Sequence, residues 1–270
     1  MLVLLSIAIG PDLTVWAAPE LQPAARLVFP YYDVRPGTMT VLLVTNVSEA
    51  PVSARLTFYD RTCMTTGHTI SLTPKDIAAL DLSRLFGGGS TDAFTQGFVD
   101  VVAEQNSLVG VATILNLVED WAVSYHAAPS KRLPGAVPFE PFPSRLALPG
   151  FFAQADGPRH LDGLLILVAP NATRPGGPIA SDAVRASFDV VGASGHGISL
   201  GAGGHQLILP LTFLTDSLPP DEAFAWLTVT NAARDEAGKP LGLVGLFIET
   251  LVDPAGGGGM AGAVRLWGMP

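Results

Sequence analysis

The segment SARLTFYD, residues 53–60, alternates in character, with Ala54, Leu56 and Phe58 on one side of an extended chain and Arg55, Thr57 and Tyr59 on the other. That pattern predicts a strand with one buried face. TVLLVTN (40–46) and GLLILVA (163–169) do not alternate and are apolar on both sides, which predicts central strands covered twice. A sandwich of two sheets covers only one face of each. The second cover must therefore come from a neighbouring domain or from a partner. The remaining apolar segments are short, rich in Val, Leu, Ile, Thr and Phe, and separated by Gly, Pro, Asn or Asp. Only KDIAALDLSRLF (75–86) approaches a helical period, and it fits a strand and a turn equally well. The fold class expected is all-β.

The chain also repeats itself. RLVFPYY from Arg26 lines up with RLALPGFF from Arg145, and LLVTNVS ending at Ser48 with LVAPNAT ending at Thr173. ARLTFYD from Ala54 lines up with VRASFDV from Val184, GHTISL (67–72) with GHGISL (195–200), and LVGV from Leu108 with LVGL from Leu243. DAF at Asp92 and EAF at Glu222 keep the same order. The offset stays between about 119 and about 135 residues, so order and spacing both persist. The expected organisation is two tandem antiparallel immunoglobulin-like β-sandwich domains of about seven strands each, from an internal duplication. They span residues 26–130 and 145–270, joined by a Pro-rich linker at 131–144 that should be extended and semi-rigid.

Charged residues make up 14% of 270, and the formal net charge is -9, the wrong sign for holding a phosphate backbone, so nucleic acid is excluded as a partner. Leu2 to Ile9 form an apolar run of signal-peptide length, with small residues around Ala17, although no Lys or Arg precedes the run. Residues 1–17 are accordingly expected to be a signal peptide, and the mature chain to carry no membrane span. Cys63 is the single cysteine, which rules out an intramolecular disulfide. So few charges on two domains predict a buried apolar surface against another copy or another protein.

Candidate chemistry is sparse. His68 and His196 each follow a glycine, which suggests strand entry after a turn, and His205 could lie across a hairpin from His196. No ligand spacing accompanies them, so no metal and no cofactor is expected. Ser194 in GASGH lacks the second glycine of a nucleophile elbow and is expected in a turn. Asp60, Glu119, Asp120 and Asp189 form no calcium-loop spacing, and no catalytic residue is assigned. The sequons at Asn46 and Asn171 are better explained by asparagines bonding their own backbone. Tyr31 and Tyr32 should sit on opposite faces of a strand, one in the core and one outside, with Phe151 and Phe152 as their counterparts. Trp121, Tyr125, Trp226 and Trp267 are scattered along the chain, where core packing and interface burial are their common use.

The pattern LVFPYYDV, VLLVTNVS, ARLTFYD, GFVDVV resembles uncharacterised secreted bacterial proteins carrying immunoglobulin-like repeats with an early FPY strand. The second copy departs from it at Gly150 and at AFAWLTV. The resemblance implies an exported surface or matrix protein and brings no catalytic residues. The expected function is a non-enzymatic structural or interaction protein, a subunit of a cell-surface, periplasmic or extracellular assembly. A carbohydrate-binding protein, with a glycan as partner, is the first alternative and an unrecognised hydrolase the second.

Overall fold

The computed structural model describes residues 22–86, 94–135, 139–153, 160–171, 175–252 and 259–269. The expected signal peptide, residues 1–17, lies outside them. In the first half the elements are β1 (Arg26–Asp33), β2 (Thr38–Asn46), β3 (Val52–Asp60), β4 (Thr65–Leu72), β5 (Ile77–Asp81), helix α1 (Leu82–Phe86), β6 (Gln96–Ala103), β7 (Leu108–Asn116), β8 (Trp121–His126) and β9 (Ala128–Ser130). The second half contains β10 (Arg145–Phe152), β11 (His160–Val168), β12 (Val184–Gly192), β13 (Gly197–Gly204), β14 (Gln206–Pro210), helix α2 (Thr212–Thr215), β15 (Phe224–Asn231), β16 (Val244–Val252), β17 (Gly259–Arg265) and β18 (Trp267–Gly268). The molecule is all-β, as expected. Among the described residues no helix is long and apolar enough to cross a membrane.

The strands form four antiparallel sheets. Five-stranded sheets run in the orders β4-β3-β6-β1-β9 and β13-β12-β15-β10-β18, and four-stranded sheets in the orders β5-β2-β7-β8 and β14-β11-β16-β17. Adding nine to each strand number of the first half reproduces the second. Even an irregularity recurs: the pairing of β1 with β6 shifts register between Phe29 and Tyr32, and that of β10 with β15 between Leu148 and Phe151. Pro30 and Pro149 sit at these shifts, where a residue without an N–H cannot continue the ladder.

One expectation needs correction. Tyr31 and Tyr32 are both buried, at 2% and 0% exposure. Tyr32 packs on Phe58 and Phe86 in the core, while the Tyr31 hydroxyl bonds Asp33 and Gln96 in the cleft between the halves, where the second half covers it. The Tyr125 hydroxyl donates to the Tyr31 carbonyl and holds the bulge from the opposite sheet. The expected counterparts also shift by one: by register Phe151 stands at the place of Tyr32 and is buried, whereas Phe152 stands at the place of Asp33 and is 49% exposed.

Register also corrects the repeated hexapeptide. Leu56 pairs with His68, whereas Phe188 pairs with Leu200. Leu56 and Phe188 occupy matching places, since their neighbours Val101 and Val229 lie on the matching strands β6 and β15. GHTISL and GHGISL are therefore four residues out of step. His68 stands mid-strand in β4, and only His196 occupies the turn before a strand.

The core follows the alternation. In β3 Ala54, Leu56 and Phe58 point inward and join Leu27, Phe29, Val99 and Val101 of their own sheet and Leu42, Val44, Ala112 and Ile114 of the four-stranded sheet in one buried cluster. Gly110 leaves room for this: a Cβ there would lie 2.6 Å from the Phe29 ring, and Gly245 similarly faces Leu146 at 2.9 Å. The same cluster takes in Ile166, Leu246 and Ile248 from the second half. So the outer face of β11 and β16 is buried on the first half, while their inner face, with Leu165, Leu167 and Phe247, belongs to the second core. The double cover expected for GLLILVA comes from within the chain. TVLLVTN differs: Leu42 and Val44 are buried, whereas Val41 and Leu43 on the outer face are half-buried. Of KDIAALDLSRLF, β5 takes the first part and α1 the second, with the Asp81 carboxylate accepting from the Ser83 N–H at the helix start. The proline-rich segment packs as well as connects, since Phe139 is buried and Phe142 packs against the buried cluster that includes Val28 and Phe98.

Candidate functional site

Strand β15, FAWLTVTN, turns Ala225, Leu227 and Val229 into the core and leaves Phe224, Trp226 and Thr228 on the outer face of the second five-stranded sheet. Cross-strand pairing brings more apolar side chains to that face. Phe152 pairs with Phe224, their ring centroids 4.7 Å apart at 71°; Val191 pairs with Trp226; and Trp267 on the edge strand pairs with Ala147. Exposure is 39% at Phe224, 44% at Trp226, 62% at Trp267 and 41% at Val191. Together they set four large exposed apolar side chains, with Phe152, on one sheet face, and exposed aromatic groupings of this kind are common at interaction sites. Polar groups border it, with the Ser199 hydroxyl on the Asp189 carboxylate at 2.8 Å.

The matching face of the first half shows what such a surface accepts. By register Phe98 stands where Trp226 does, Tyr59 where Val191 does, and Val28 where Ala147 does. All three are buried, with the Tyr59 and Phe98 rings stacked at 4.4 Å. Val168 and Val244 of the second half cover them, together with Phe142 and Ile179. The Tyr59 hydroxyl donates to the Gly177 carbonyl at 2.7 Å, and burial pushes this phenol well above its ordinary pKa. Arg26 and Asp100 pair beneath the same cover, and the Gly176 N–H adds a hydrogen bond to Asp100 at 3.0 Å. In the second half Thr228 replaces Asp100, and Arg145, which matches Arg26, is exposed.

Between the halves lies a cleft of about 200 Å³ lined by Tyr31, Arg35, Asn116, Glu119, Trp121 and Asp162, among others. Its polar groups are largely engaged with one another. Asp33 accepts from Tyr31, Arg35, Thr38 and Gln96, and Glu119 accepts from Asn116 and from the Trp121 indole, both at 2.8 Å.

Other residues singled out by the sequence stay apart. His68 and His196 are exposed, and His205 follows the far end of β13, so roughly 26 Å of strand separates it from His196 instead of a hairpin contact. Among the described residues no group of three His, Cys, Asp or Glu side chains could hold a metal. Ser194 lies in a turn, where its hydroxyl and N–H both donate to Glu222. That bonding holds the Glu222 carboxyl below its usual range. Cys63 is half-buried, and burial with the nearby Asp60 charge pushes its thiol up to about 11. Asp60 itself accepts from Thr62 and Met64 in the same turn. Asp120 adopts a left-handed conformation in the turn before β8. Asn46 is buried, and its carboxamide bonds Ser48, Ala50 and Thr73, as a turn-forming asparagine should. Asn171 donates to the Pro178 carbonyl at 3.1 Å.

The exposed aromatic face is what sequence reasoning missed. Alternation in FAWLTVTN puts Phe224 and Trp226 on one side, but both sides of the segment are apolar and neither is marked as the core.

No protein-family model matches the chain, and no curated protein matches it. A solved structure described as Thermotoga maritima 1070 is similar over 39% of this chain and 94% of its own, at 15% identity and a TM-score of 0.33. The PBSX exported protein XepA is similar over 78% of this chain and 82% of its own, at 7% identity and a TM-score of 0.21. At these scores neither likeness bears on the fold or the function of this chain.

Proposed function

We propose that the protein is an exported, non-enzymatic interaction protein, a subunit of a cell-surface, periplasmic or extracellular assembly, built from two immunoglobulin-like β-sandwich units produced by internal duplication. The repeated strand order and the bulge at Pro30 and Pro149 support the duplication. One observation carries the functional reading. Phe152, Phe224, Trp226 and Trp267 stand exposed together on a sheet face whose counterpart in the first half is buried. Ordered aromatic side chains of this kind supply contact area at low entropic cost. A photo-crosslinking residue at position 226 of the full chain should yield one defined adduct in the native exported fraction. The same probe at Glu236, exposed in a loop of the second half, should yield none. Absence of a specific adduct at 226 would count against the reading.

The same face supports a second reading, as a carbohydrate-binding surface. Trp226 and Trp267 offer flat rings, and Asp189, Ser199 and Thr228 offer hydrogen-bonding groups beside them. Titration with polysaccharides would then quench indole fluorescence, and Trp226→Ala would abolish the saturable part.

A further inference from the structure

We propose that copies of this chain stack head to tail, the outer face of the β5-β2-β7-β8 sheet of one molecule seated on the exposed aromatic face of the next. The inference deepens the interaction reading above by naming the partner as a second copy. The contact inside the chain serves as its template. There the outer face of β11 and β16 packs on the first half, with Leu164 and Ile248 beside Tyr31 and Ile114, and with Val168 and Val244 over Val28, Tyr59 and Phe98. At the rim Gln206 donates to the Pro30 carbonyl at 3.4 Å.

Each partner in that contact has a free counterpart elsewhere in the same molecule. The order of strands places Val41 and Leu43 where Leu164 and Ile166 stand, and Val109 and Val111 where Val244 and Leu246 stand. Ile166, Val244 and Leu246 are buried and Leu164 partly so, whereas Val41, Leu43, Val109 and Val111 are half-buried and, among the described residues, no element packs over them. Ile77, at the place of Gln206, is 59% exposed. On the receiving side, buried Phe98 and Tyr59 have exposed Trp226 and Val191 as counterparts. Pro149, the counterpart of Pro30, is likewise exposed.

A stack of two repeats that ended in solution would carry polar outer faces at both ends. This chain carries aliphatic side chains at one end and aromatic ones at the other. Because the two faces differ, their contact is heterologous and does not close on itself after two copies.

Sedimentation velocity of the full chain tests the idea with two variants, each blocking one face: Trp226→Glu and Leu43→Glu. Ile77→Glu backs up the latter, because its side chain is largely exposed and the change leaves the core intact. The wild-type chain should sediment faster as concentration rises, without reaching a limiting species. Each variant alone should remain monomeric, while their equimolar mixture should form a species of two chains and nothing larger. A wild-type chain monomeric at every concentration would overturn the proposal. So would a mixture that stays monomeric, or a Leu43→Glu chain that still dimerises, which would mean two aromatic faces meeting symmetrically. If stacking fails but a probe at position 226 still crosslinks to a different protein, the interaction reading stands without this partner.

Discussion

Arg26 and Asp100 form a two-pronged ion pair, Nε to Oδ1 and Nη2 to Oδ2 both at 2.9 Å, in which each side chain is 1% exposed. The guanidinium also lies over the Phe139 and Phe142 rings, at 5.8 and 5.5 Å from their centroids. Elements from both halves and the segment between them thus meet on one buried charge pair. Asp100→Ala leaves Arg26 buried without its partner and should lower stability by about 3–5 kcal/mol in urea unfolding. Replacing both residues by apolar ones should recover most of that loss.

Asp33 is expected to shape the acid limb of stability. Burial raises its carboxyl, but hydrogen bonds and charge from Arg35, with the Tyr31 phenol, together hold it below the ordinary 3.8. A lowered folded value means the contribution is present above the unfolded pKa and is lost as pH falls through the folded one. Asp33→Asn should therefore cost about 2 kcal/mol at neutral pH. The gap from the wild-type chain should narrow as the pH drops below 3.8, measured by denaturant unfolding across the acid range.

Cys63 should behave as a sluggish thiol. With its pKa pushed to about 11 by burial and the Asp60 charge, little thiolate exists at neutral pH. Iodoacetamide should label the native chain far more slowly than the urea-unfolded chain, and the native rate should keep rising with pH toward 11.

Asn46 is expected to be structural and unglycosylated. Its side-chain N–H groups donate to the Ala50 and Thr73 carbonyls at 2.7 and 2.9 Å, and its oxygen accepts from Ser48. Asn46→Ala should cost about 2 kcal/mol, because several part-buried groups around it lose partners at once. Expression in a glycosylating host should leave the mass at this site unchanged.

Much of this molecule follows from local pattern. The alternation of SARLTFYD places Ala54, Leu56 and Phe58 in the core, since side chains on a strand change sides at every residue whatever lies beyond. Turn residues mark where strands end, and the repeated segments anticipate the shared strand order. The apolar run GLLILVA shows that two covers are needed, but not which surface supplies the second.

Tertiary packing decided the rest. The burial of Tyr59 and Phe98, and the exposure of Trp226 at the matching place, depend on the second half lying on one face and not the other. A residue's own neighbours in sequence carry no record of that. Register was equally hidden: GHTISL and GHGISL look alike but sit four residues apart in the two sheets, because hydrogen-bond pairing is set by whole strands and their turns. The burial of Tyr31 as well as Tyr32 was hidden for a similar reason, because the cover over Tyr31 comes from the second half and not from its own sheets. The candidate site is therefore a property of the assembled sheets: β10, β12, β15 and β18 each contribute one or two side chains, and only their pairing makes them a surface.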